Sequence, residues 1–188
     1  MRRIVYRLGL AAAVTIAAIA LGSCNLDPAA PGPAKPAAAL TNAAGGVNAK
    51  VDSAPRNFRA HLNGDGDAVD TRAQGQAIFQ LSADGSEISY KLIAANIENI
   101  TQGHIHLAPE GVNGPIVAWL YPPAPPSMLI PDRFDGVLAE GTITAASLVG
   151  PLAGQSLSAL LDAMRNGGAY VNVHTLQHPP GEIRGQIQ

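Results

Sequence analysis

From residue 57 onward, apolar and polar side chains alternate in short runs, the period of half-buried β-strands. Phe58, Ala60 and Leu62 alternate with Arg59 and His61. Ala77, Phe79 and Leu81 share one face of a run over residues 75–81. Ile88, Tyr90 and Leu92 then alternate with Glu87, Ser89 and Lys91, and Ala83-Asp84-Gly85-Ser86 between these runs is a hairpin signal. An antiparallel pair with one solvated face is expected there. Further strands are predicted over residues 104–107, 116–121, 137–144, 170–174 and 181–188. Asn63-Gly64-Asp65-Gly66-Asp67 reads as a solvated turn; its acidic residues two apart suit a calcium loop, but the glutamate at the twelfth position is missing. Asn99-Ile100-Thr101 reads as another turn, and its match to a glycosylation sequon as accidental. Five prolines within 122–131 make that stretch an irregular connection or an edge.

After Ala145 the period changes. Ser147-Leu148 with Gly150-Pro151 predicts a single helical turn. Leu157, Leu160, Leu161 and Met164 fall at helical spacing behind Ser156, a capping residue, and Gly167-Gly168 ends the helix. Such a stripe packs over one end of a sheet. About seven or eight short strands with one or two short helices predict an all-β fold, a Greek-key β-sandwich of immunoglobulin-like type.

The first 55 residues carry no strand pattern. A short positive stretch with Arg2, Arg3 and Arg7 precedes an apolar run over 8–20, too short for a comfortable membrane span. Leu21-Gly22-Ser23-Cys24 follows, and Cys24 is the only cysteine. This resembles a bacterial lipobox, so residues 1–23 read as a lipoprotein signal peptide and Cys24 as the acylated residue that ties the chain to a membrane. Asn25, in place of the aspartate that retains enteric lipoproteins at the inner membrane, favours the outer membrane or its periplasmic face. Pro28, Pro31, Pro33 and Pro36 interrupt alanine in residues 24–55, which read as a tether. The folded domain is expected over 56–188.

Composition and charge narrow the partners. Removing the signal peptide leaves 9 basic against 14 acidic residues, a net charge near −5 with no basic stripe, so nucleic acid is not an expected partner. A single cysteine excludes an intrachain disulfide, a cysteine metal cage and a CxxC redox pair. No G-x-S-x-G, phosphate loop or H-E-x-x-H occurs.

Candidate chemistry concentrates in two runs. The first is Gly103-His104-Ile105-His106-Leu107, continuing through Gly111-Val112-Asn113-Gly114-Pro115 to Trp119. The second is Tyr170-Val171-Asn172-Val173-His174, followed by His178-Pro179-Pro180-Gly181-Glu182-Ile183-Arg184-Gly185-Gln186. Alternation puts His104 and His106 on one face, about 6–7 Å apart at the backbone, and Asn172 with His174 on one face of the other strand. With Ile105, Val171 and Val173 facing the core, the histidines are expected to point away from it, toward a shared polar edge. Two readings stand together. The imidazoles are ligands for copper or, second, zinc, or they are structural groups bonded to strand backbone and nearby carboxylates. Glu182, Arg184 and Asn172 are the expected supporting residues, Glu182 as a carboxylate behind a histidine.

The same two runs resemble the CHRD domain, first described in chordin and common in bacterial secreted proteins. That resemblance implies a secreted β-domain acting as a binding or structural module without enzymatic activity, meeting an extracytoplasmic protein or matrix component in the cell envelope. The histidine strands are also similar to the copper-ligand strands of Cu/Zn superoxide dismutases, a β-sandwich family. That likeness implies His104, His106 and His174 as ligands, for storage, delivery or copper-dependent redox chemistry. The bridging histidine, the zinc loop and the paired cysteines of that family are absent, and no arginine stands at its active-site spacing.

Overall fold

The computed structural model describes residues 54–188. The expected signal peptide, Cys24 and the expected tether as far as residue 53 lie outside them. The elements in order are β1 (Asn57–Leu62), β2 (Gln74–Leu81), β3 (Glu87–Leu107), β4 (Ile116–Tyr121), β5 (Ile130–Thr144), α1 (Leu157–Arg165), β6 (Ala169–Thr175) and β7 (Ile183–Gln186), with short 3₁₀ turns at Asp65–Asp67, Ala145–Ser147 and Gly150–Leu152. All strand pairs are antiparallel. The fold is an all-β sandwich, as the alternation predicts.

The long strand β3 organises it. Its 21 residues cover both the predicted strand at Ile88 and the predicted histidine strand, with no turn between them. Where the sequence predicts a turn, the chain instead carries Asn96 and Asn99 in left-handed conformation, φ 55° and 54°. Asparagine tolerates that conformation, and a single such residue makes a bulge that bends a strand without ending it. The pairing with β5 shifts register across these residues. Asp135 accepts from the Asn96 N–H at 2.8 Å and the Asn99 side chain accepts from the Asp132 N–H at 3.1 Å, which fixes both bulges. The first half of β3 therefore lies between β2 and β5, and the second half between β6 and β4. Ile100 is the crossing point, paired with Ile130 of β5 and with Thr175 of β6. A strand that passes from one layer to the other through bulges is the usual way to turn a corner in such folds.

The remaining edges nearly close. Arg59 and Gln188 exchange two backbone bonds of 2.9 Å, and the Arg184 N–H donates to Asn63 O at 2.8 Å, joining β1 to β7. Leu62, Phe79, Ile88, Leu92, Ile97, Ile105, Val171, Val173 and Ile183 fill the interior, and Leu157, Leu160, Leu161 and Met164 of α1 join that core. Ser156 takes the N-cap position, yet its hydroxyl bonds Ser158 Oγ at 2.7 Å instead of the helix backbone. Gly167, at φ 65°, ends α1 as expected.

One expectation about exposure is corrected. Ile105, Val171 and Val173 do face the core, but the opposite face of β3 and β6 is not a solvated edge: His104, His106 and His174 are all buried. Loop 108–114 folds over it, held by bonds from Arg184 and Gln186 to loop carbonyls, as does the turn after His174, whose Pro179 and Pro180 carbonyls accept from His174 and Asn172. In sequence, both segments look like surface connections.

Candidate metal centre

Register brings the two histidine runs together. On the β3–β6 pair, His106 faces Tyr170, His104 faces Asn172 and Gln102 faces His174. The three imidazole centroids lie 5.6 Å (His104–His106), 5.1 Å (His104–His174) and 5.9 Å (His106–His174) apart. One nitrogen from each ring falls within 4.8 Å of the other two. His104 Nδ1 and His174 Nε2 are 3.3 Å apart. Two nitrogens bonded at about 2.0–2.1 Å to one tetrahedral ion stand about 3.3–3.4 Å from each other.

The tautomers follow from the backbone. His106 Nδ1 lies 2.9 Å from Gly114 O, and His174 Nδ1 lies 2.9 Å from Pro179 O. A carbonyl only accepts, so each Nδ1 carries the proton and each Nε2 is left with its lone pair. His174 Nε2 meets the His104 ring. His106 Nε2 and His104 Nε2 are buried with no hydrogen-bond partner. Buried polar atoms without partners are uncommon and each calls for an account. Burial first, then the neighbouring His174 and His106, hold His104 down to about 3. Burial likewise lowers His106 and His174 from the ordinary imidazole value, against the pull of their carbonyl bonds. All three rings are neutral at physiological pH, the form that ligates. The set fits a nitrogen-liking ion: one nitrogen of each ring lies within 4.8 Å of the other two, and two rings are aimed by carbonyl bonds on their far side, the usual supporting arrangement.

A family model described as the CHRD domain matches residues 58–187. The chain belongs to the CHRD family. No curated protein and no solved structure matches it.

Within this CHRD domain, the residues expected to support the histidines divide. Glu182 is not behind a ring: its two oxygens accept from Thr71 Oγ1 and Thr175 Oγ1, each at 2.8 Å. Carbonyls occupy the place expected for it. Asn172 is buried on the histidine face and donates to Pro180 O at 3.2 Å. Arg184 donates to Asn113 Oδ1 at 2.9 Å and to Val112 O at 2.6 Å, and its guanidinium rests 3.4 Å from the Tyr170 ring centroid. Tyr170 in turn stacks on His106, 4.9 Å between centroids and 11° from parallel. β6 lies between β3 and β7, so Tyr170 is gripped from the β3 side by His106 and from the β7 side by Arg184.

Several members of the site are not evident in the sequence. Trp119 of β4 stands edge-on to His104 at 4.2 Å. Asp67, expected in a solvated turn, is partly covered: Gly66 passes close over the Arg184 stem, and the Asp67 carboxylate stands 3.8 Å from Arg184 Nη1 with 12% of its side chain exposed. The Gly114 and Pro179 carbonyls carry no side-chain signal at all. Gly114 itself is the available clue, since a Cβ there would sit 2.1 Å from Leu107 O. Its N–H donates to the Tyr170 hydroxyl at 3.2 Å while its O accepts from His106, so one residue fixes two rings. A polar cleft of about 680 Å³ opens on the far side of Arg184, lined by His61, Asn63, Asp65 and Glu110 among others, and none of the three histidines lines it.

Proposed function

We propose that this CHRD domain is a metal-binding module of the bacterial cell envelope, holding copper, or zinc second, on His104, His106 and His174. Membership of the family supports a binding or structural role. The observation that carries the metal reading is the pair of carbonyl-locked imidazoles whose free nitrogens turn toward a third buried ring, leaving His106 Nε2 without a partner. Neutral nitrogen donors favour copper over zinc in the usual affinity order. With three donors from rigid strands, the module suits storage or delivery; the set holds no second metal site of the dismutase kind among the described residues. Acylated Cys24 would hold the domain at the outer membrane or its periplasmic face, and the tether 24–55 would space it from the bilayer.

Calorimetric titration with Cu(II), and with Cu(I) under reductant, tests this. His106→Ala is expected to lose most of the affinity, and His61→Ala, in the separate cleft, to keep it. Trp119 is the only tryptophan and touches His104, so bound Cu(II) should also quench its emission. If neither ion binds the wild type more tightly than His104→Ala/His106→Ala, the histidines are structural and the domain binds an envelope protein or matrix component through its surface.

A further inference from the structure

The polar cleft of about 680 Å³ lies apart from the three histidines, none of which lines it, so its role does not depend on whether they hold an ion. Its volume is that of small-ligand sites. The floor is the outer face of β1, with β2 on one side and β7 on the other. Register sets that floor in rows: His61 stands between Gln76 and Gln186, and Arg59 stands beside Gln188. Neighbours across strands lie about 4.8 Å apart, and successive rows about 6.5 Å apart. The loops carrying Asp65 and Glu110 complete the lining. The seam under the floor is firm. Arg59 and Gln188 exchange two backbone bonds, Asn63 and Arg184 two more, and β7 lies so close to β1 that a Cβ on Gly185 would stand 2.1 Å from His61 O.

This lining excludes most kinds of ligand. Apart from glycine, its one apolar residue is Ala60, which is buried, and no Trp, Tyr or Phe lines it. Peptide and protein partners bind through apolar or aromatic anchors, or by adding a strand to a free edge. The cleft has no place for such an anchor, and the facing edges of β1 and β7 already bond each other. Charged side chains of both signs stand there in equal number, Arg59 and Arg184 against Asp65 and Glu110. An anion meets two carboxylates and a cation meets two guanidinium groups. The side chains of Arg59, His61, Gln76, Glu110 and Gln188 are exposed and bond no other described residue. They set N–H donors and oxygen acceptors side by side. The matching ligand is neutral and carries closely spaced groups that both donate and accept, as hydroxyls do.

We infer that the cleft binds a neutral saccharide, its hydroxyls bonding the side chains of His61, Gln76 and Glu110. With no large aromatic ring for a sugar to stack on, affinity rests on these hydrogen bonds. Each one removed then weakens binding by about three- to tenfold.

The test is amide NMR on the nitrogen-labelled full chain carrying Cys24→Ser. The neutral probes are cellobiose and N,N′-diacetylchitobiose. The comparison probes are chitobiose, which is the cationic deacetylated form, the acidic digalacturonate, and a neutral peptide of serine and glutamine. At least one neutral sugar should shift the amides of β1, β7 and residues 110–111, with a Kd of about 1 mM. Gln76→Ala and Glu110→Ala should each weaken it by about three- to tenfold. Both side chains are exposed and unpaired, so the urea midpoint should not move, and two variants guard against one failing. No shift from either neutral sugar at about ten times that Kd, shifts confined to other parts of the domain, or unchanged affinity in both variants would overturn the inference. So would tighter binding of a charged sugar or of the peptide.

Discussion

At the scale of single residues, the buried imidazoles set a pH dependence of their own. All three are held below the ordinary value of about 6.5, His104 to about 3, chiefly by burial. Between 6.5 and the folded values, the unfolded chain binds protons that the folded one refuses. Stability is therefore whole above about pH 6.5 and is lost as pH falls, by about 1.4 kcal/mol per pH unit for each ring that stays neutral. Asp84, lowered to about 2 by the Ser82 and Ser86 hydroxyls, titrates only in stronger acid. Urea unfolding of the chelator-treated protein should show a clear loss between pH 7 and 5, and His104→Gln should flatten that slope; an unchanged slope would contradict it. Copper affinity should also persist below pH 6.5, because protons compete poorly for a buried ring. The identities of these three residues are legible from the HIH and NVH patterns. Their burial is not, because a two-residue period reports which face a side chain takes and says nothing of what folds over that face.

At the scale of elements, the strands are legible and the joints are not. Alternation locates β1, β2, β4 and β6 to within a residue or so at each end, and the Leu157, Leu160, Leu161 and Met164 stripe locates α1. It divides β3 in two, because asparagines at 96 and 99 are turn residues by any local rule. Only the partners on either side decide between a bulge and a turn. For β5, alternation is visible only from 137, although pairing starts at Ile130, because the proline-rich approach hides the first residues. The bulges carry a prediction. Asn96 and Asn99 sit at positive φ, where a β-branched side chain costs about 1–2 kcal/mol. Asn96→Val and Asn99→Val should each destabilise by about that amount in urea melts, despite valine's preference for strands, while Asn96→Gly and Asn99→Gly should be close to neutral. If valine stabilises either position, the bulges are not the origin of the bend. Because the bend delivers His104 and His106 to β6, the Asn99→Val variant should also weaken copper binding before the fold is lost.

At the scale of the whole molecule, the domain and the proposed anchor are separable in physical terms. The core lies within residues 58–187 and closes on itself through the β1–β7 bonds of Arg59 with Gln188. Nothing before residue 56 has an alternating face to add to it. A fragment of residues 56–188 should therefore fold alone, give a β-rich circular-dichroism spectrum, and bind copper as tightly as the full chain; a helical or unfolded spectrum would count against that. Attachment, by contrast, should depend on one atom. Cys24 is the sole thiol, placed after Leu21-Gly22-Ser23 at the end of an apolar run too short to span a bilayer. Each buried methylene of an acyl chain contributes about 0.8 kcal/mol, so one chain binds reversibly and two or more hold durably. Cys24→Ser should then remove palmitate label and move the protein from the membrane pellet to the soluble fraction. It should leave the histidine titration unchanged, because in the proposed reading the thiol serves the anchor and the imidazoles serve the ion. Wild-type protein that fractionates as soluble and unlabelled would show that residues 1–23 are an ordinary secretion signal. A Cys24→Ser protein that reaches the soluble fraction but no longer binds copper would show instead that the thiol belongs to the metal centre.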